Sequence, residues 1–129
     1  MQAELYSRVF SWSDLPQEVV RDGVRRCAFA TDDYMLVMNY IAAEMTPNPH
    51  THENFDQLVY IVSGRAHYHV SGVPHEMGPG SIMVVPAGAE HYLTPIDGPV
   101  ENLDIFSPPR ADYDHLLEYA RNLAATPSA

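Results

Sequence analysis

The sequence predicts an all-β domain, a small antiparallel barrel or jelly roll with a short C-terminal helix. Three observations predict it. The apolar runs are short and are punctuated by glycine and proline, of which the chain holds 7 and 11. Those runs alternate with polar residues or are apolar on both faces, which is strand periodicity rather than helical periodicity. Helical spacing is confined to Leu116, Leu117 and Ala120, near the end of the chain. With 129 residues, 46% of them hydrophobic, the chain suffices for one domain with a core, spanning 1–129, whose barrel is expected over about residues 34–107.

Taken in order, the N-terminal strands are expected within 6–31. Tyr6 to Trp12 alternates loosely and ends at the turn Ser13-Asp14-Leu15-Pro16, and Glu18 to Val20 with Val24 to Thr31 forms a hairpin across Asp22-Gly23. Tyr34 to Met45 is mostly apolar but lacks helix caps and lies between Asp32-Asp33 and Thr46-Pro47, so it is read as a strand. Gln57 to Gly64 is apolar on both faces, as a strand covered on both sides requires. Further strands follow at Arg65 to Ser71, Val73 to Met77, Ser81 to Val85, Tyr92 to Thr94 and Val100 to Phe106, about eight or more in all. The C-terminal helix is placed at about 111–124.

Four side chains converge on one point in this scheme. His50 and His52 are two apart in an extended segment, so both rings project from one face. Gln57 begins the next strand, and His91 follows the Pro86-Ala87-Gly88 turn. Three imidazoles and an amide oxygen suit a divalent metal ion with coordination positions left open for a ligand; Asp56 is the alternative to Gln57. Nickel, zinc, manganese, iron and cobalt all accept such donors. The second His-x-His, His67-Tyr68-His69, places its imidazoles opposite the apolar Ala66, Tyr68 and Val70 and is expected to face outward. His75 and His115 are expected at the solvent surface, and Cys27, in an apolar strand, as a small buried hydrophobe.

A net charge of -10 argues against nucleic acid or an anionic membrane as a partner. The chain has no lysine, which removes Schiff-base chemistry. It has no apolar stretch of membrane-spanning length and no secretory pattern at its start, so a cytoplasmic protein is expected. Leu58, Tyr60 and Val62, on the face opposite Gln57, need cover, and a homodimer is the expected source.

The residues His50-x-His52-x4-Gln57-x6-Gly64 and Gly80-x5-Pro86-x-Gly88-x2-His91 resemble the two motifs of the cupin family. The departures are Gln57 for the usual glutamate, Pro95 for the usual asparagine, and no glycine between Asn39 and Glu44. Pro49 to Glu53, Asp56 to Gly64 and Asp104 to Tyr113 further resemble the pectin-degradation cupins of the KdgF type. That resemblance implies a His, His, Gln, His metal site at His50, His52, Gln57 and His91. It also implies an acid/base aspartate at Asp104, a pocket phenylalanine at Phe106 and a substrate arginine at Arg110; in so acidic a chain an anionic sugar needs local cations, and Arg110 is expected to supply one by a bidentate grip on the carboxylate. The implied activity is metal-dependent opening of 4,5-unsaturated monouronates, small anionic sugars, to linear 5-keto-4-deoxyuronate. Asp104 and Phe106, two apart in a strand, can face one cavity together. A metal-dependent cupin dioxygenase and a non-enzymatic sugar-binding or effector-binding cupin are the competing readings, since the fold hosts many chemistries.

Overall fold

A computed structural model describes residues 2–118 and 122. Among the described residues seven antiparallel strands form the barrel: β1 (Glu18–Arg21), β2 (Val24–Ala30), β3 (Met35–Ile41), β4 (Gln57–Val70), β5 (Val73–Met77), β6 (Ile82–Val85) and β7 (His91–Phe106). They run in the order β1-β2-β3-β7-β4-β5, with β6 paired to β4. The ladder between β4 and β7 is the axis of the fold, pairing Gln57 with Phe106 at one end and Val70 with His91 at the other. Among the described residues no helix is long and apolar enough to cross a membrane.

Two expected pairs of short strands are each one long strand. The stretches expected as strands at Gln57 to Gly64 and Arg65 to Ser71 fall in the continuous β4, and those expected at Tyr92 to Thr94 and Val100 to Phe106 fall in the continuous β7. The reason lies at Gly64, which has φ +80° and sits where the β4–β7 register shifts, so the ladder bends without ending. A Cβ on Gly64 would lie 2.2 Å from the Pro99 carbonyl oxygen. Gly64→Ala is therefore expected to lower stability by about 2–4 kcal/mol, read as a fall in the denaturant midpoint.

The expected strand at 6–12 does not form. Residues 2–5 and 12–14 are 3-10 turns. The edge of β2 that such a strand could extend is already taken by β1, and Val9 is 95% exposed. Instead Trp12 and Leu15 pack on the outer face of the sheet against Cys27, Met38 and Leu103. Cys27 is fully buried there, as expected. The hairpin β1–β2 is present, with a register irregularity between Val19 and Arg21. The C-terminal element is a 3-10 helix over Ala111–Leu117 that buries Leu116 against Met35, Val37 and Phe106. The rest of the helix expected at 111–124 lies largely outside the described residues.

The barrel interior holds Val24, Ile41, Val59, Ile61, Tyr68, Leu93 and Val100 in one apolar cluster. Each comes from the inward phase of its strand, so the remaining inward positions of the same strands, Asn39, Gln57, Asn102 and Asp104, stand out as polar.

Candidate metal centre and cavity

His50 and His91 face each other across an isolated bridge, with His50 N–H donating to the His91 carbonyl at 3.2 Å and His91 N–H to the His50 carbonyl at 2.9 Å. Gly88 N–H donates to the His52 carbonyl at 2.7 Å, so three backbone bonds pin the histidine segment, one to Gly88 of the turn and two to His91. The ring centroids of His50, His52 and His91 lie 4.3–5.0 Å apart. One donor atom from each histidine falls within 4.8 Å of the others.

The tautomers follow from the hydrogen bonds. His50 Nδ1 donates to the Asn48 carbonyl at 2.7 Å and His91 Nδ1 to the Ala89 carbonyl at 2.9 Å. Each ring is thereby oriented with its Nε2 lone pair free to ligate. Burial, then the Arg110 guanidinium and the two neighbouring imidazoles, push His52 down to about 4; burial also lowers His91. Both rings are held in the neutral, ligating form.

Gln57 Oε1 and His91 Nε2 are buried and, among the described residues, have no hydrogen-bond partner. Gln57 is 3% and His91 1% exposed, and an unsatisfied buried acceptor costs about 1–3 kcal/mol. The Gln57 amide nitrogen faces the Tyr68 hydroxyl at 3.4 Å, which leaves the oxygen as the free end. A cation is what these two acceptors lack, and His50, His52, Gln57 and His91 could hold one. Asp56, the alternative ligand, is exposed and accepts the Ala87 N–H at 2.8 Å, bracing the turn.

Beside these residues opens a cavity of about 320 Å³ whose lining includes His50, His52, Tyr68 and Asp104. Asp104 lies at its floor between Val37 of β3 and Val59 of β4. Asn39 Nδ2 donates to Asp104 Oδ2 at 2.9 Å and Asn102 Nδ2 to Oδ1 at 2.8 Å. Burial raises this carboxyl to about 7 against the opposing pull of Gln57, Asn39, Asn102 and Arg110. A carboxyl poised near neutrality can both take and return a proton.

Phe106 shares the inward phase of β7 with Asp104, but it is 1% exposed and does not line the cavity. Its ring meets His52 edge-on at 6.0 Å and Phe55 at 5.4 Å, so it backs His52 rather than touching a ligand. Arg110 stacks 3.9 Å from the Tyr113 ring centroid and reaches His52 Nε2 at 3.5 Å through Nη1. Its Nε and Nη2 donate to the two oxygens of Asp112, so the bidentate grip expected for a ligand carboxylate is already filled from within. Arg110 pairs with Asp112, two residues on, rather than with Asp104.

His67 is exposed and His69 stacks on Tyr92 at 4.2 Å, both on the outward face as expected. His115 is at the surface but paired, its Nε2 lying 2.9 Å from Glu18. Asn39, Asn102, Arg21, Arg26 and Tyr113 join the cavity lining without having been singled out in the sequence. Only Asn102 left a signal there, since it sits two residues before Asp104 and therefore on the same face.

The cupin domain model matches residues 36–106, more than half of the chain. The chain belongs to the cupin family. It is 27% identical over 107 residues to the pectin degradation protein KdgF of Dickeya dadantii (strain 3937), covering 82% of this cupin and 97% of that protein. Among solved structures, KdgF from Halomonas sp. superposes with a TM-score of 0.75 at 28% identity, over 82% of this chain and 97% of that one. An RmlC-like cupin from Shewanella frigidimarina gives 0.72 at 26% identity, over 83% and 96% of the two chains. The likeness to KdgF thus spans nearly all of that protein.

Proposed function

We propose that this cupin opens the ring of 4,5-unsaturated monouronates to give linear 5-keto-4-deoxyuronate, in the breakdown of pectin-type or alginate-type polysaccharide. The observation that carries the reading is Asp104, a carboxyl oriented by two asparagine amides on the floor of a cavity shared with the histidine cluster. The likeness to two KdgF proteins supports the substrate class.

The reaction is an isomerisation and needs no co-reactant. Asp104 takes the proton of the C1 hydroxyl; C1=O forms as the bond from C1 to the ring oxygen breaks, and the electron pair stays on that oxygen as the enolate of C5. Asp104 then returns the proton to C4, leaving a ketone at C5. A divalent ion held by His50, His52, Gln57 and His91 would supply a Lewis acid and an orienting template, with no change of oxidation state. Asn39 and Asn102 hold the carboxylate in place for both transfers, and Phe106 with Phe55 fixes His52 from behind. Proton magnetic resonance of unsaturated galacturonate with the metal-loaded protein tests this: the alkene proton at C4 is expected to give way to a methylene. An alkene signal that decays no faster than in buffer would overturn the proposal.

The same reading includes assembly as a homodimer. Tyr60 and Val62 of β4 and Ile82 and Val84 of β6 form an exposed apolar face, with Tyr60 opposite Ile82 in the ladder. Small-angle scattering is expected to return twice the mass of the chain; the mass of one chain would contradict it.

A further inference from the structure

We propose that Arg21, at the end of β1, is the guanidinium that recognises the carboxylate of the sugar-acid ligand, with Arg26 beside it completing an anion-binding pole of the cavity. Arg21, Arg26 and Arg110 all line the cavity, three of only seven cationic side chains in a chain of net charge -10. Such a concentration of positive charge selects an anionic ligand in a protein that otherwise repels one.

The three arginines are not equivalent. The fork of Arg110 is filled by Asp112. Arg26 donates through Nε to Glu18 at 2.8 Å and lies 4.2 Å over the ring of Tyr113, the same ring that carries Arg110. Arg21 donates through Nε to the Thr46 carbonyl at 2.7 Å, and among the described residues no carboxylate pairs with it. Its two terminal nitrogens are left for a ligand. Burial and the neighbouring Arg26 charge both work against its protonated form, which is the strain an incoming carboxylate would relieve.

The backbone explains how Arg21 comes to point there. Neighbouring residues of a regular strand face opposite sides, yet Val20 and Arg21 both line the cavity. The register irregularity between Val19 and Arg21 supplies the turn of the chain that re-aims the side chain. The Thr46 carbonyl then fixes Nε and presents the rest of the fork, a geometry suited to a planar carboxylate.

The assignment rests on reading the cavity as a sugar-acid site, but binding and turnover test the two separately. Galacturonate and galactose differ by one carboxylate and neither carries the reactive double bond, so their dissociation constants, measured by magnetic-resonance titration of the metal-loaded protein, report charge recognition alone. The wild type is expected to prefer galacturonate by about tenfold or more, the worth of a charge-assisted pair. Arg21→Gln is expected to bring that ratio close to one with galactose binding unchanged, and Arg21→Lys to restore part of it. A ratio that survives Arg21→Gln, or an equal loss of both sugars, would overturn the assignment. If the ratio collapses as expected while unsaturated galacturonate is not turned over, the carboxylate pole stands and the ring-opening reaction falls.

Discussion

Asp104→Asn is expected to slow ring opening by about 10²–10⁴-fold while the protein keeps its fold and its metal content, because the substitution removes the carboxyl to which the proposed mechanism assigns both proton transfers. The change is nearly isosteric. It turns one of the two acceptors for the Asn39 and Asn102 amides into a donor, so Asp104→Asn also disturbs that pair of hydrogen bonds. Asn102→Ala separates the two effects: it loosens the carboxylate without deleting it, and its loss of rate is expected to be smaller than that of Asp104→Asn. Steady-state rates on unsaturated galacturonate, with metal content measured on the same samples, check both. Equal rates for wild type and Asp104→Asn would remove Asp104 from the mechanism.

His91→Ala is expected to cost metal affinity and activity together. His91 is 1% exposed, its Nε2 is one of two buried acceptors without a partner among the described residues, and its backbone carries both hydrogen bonds to His50. Losing an outer partner of a metal ligand commonly costs about 10–100-fold in affinity, and losing the ligand itself is expected to cost at least that. Gln57→Leu, which removes the other orphaned oxygen without removing an imidazole, is expected to weaken binding less. Metal analysis after dialysis against a chelator, followed by re-addition, distinguishes the two variants. His91→Ala that retains its metal and its rate would exclude this cluster as the metal centre.

The histidine cluster was legible in the sequence because short-range rules suffice to find it. Two histidines two apart share a face, and a Pro-x-Gly turn delivers His91 to them. Asp104 and Phe106 came from the resemblance to the KdgF-type cupins, and the same alternation only places both on one face; burial beneath His52 gives Phe106 a structural part that alternation does not reveal. The cationic wall was hidden for the opposite reason. Arg21 faces the cavity through a register irregularity, Asn39 reaches Asp104 only because β3 lies next to β7, and Asp112 takes the fork of Arg110 through a turn at the start of the terminal 3-10 helix. Each depends on pairing across the sheet or on local backbone geometry, neither of which a single strand's pattern encodes. The strand count erred likewise, because Gly64 sits at a register shift that bends the ladder without ending it, and Pro95 pairs with Ala66 within a continuous strand.

The central claim is tested most directly by the ultraviolet absorbance of a 4,5-unsaturated monouronate, followed in parallel with wild type, Asp104→Asn and a chelator-treated sample. Rapid decay with wild type, and decay close to the buffer rate in the other two, is the predicted result. Decay with wild type no faster than in buffer, from protein whose metal site is shown to be filled, would contradict it.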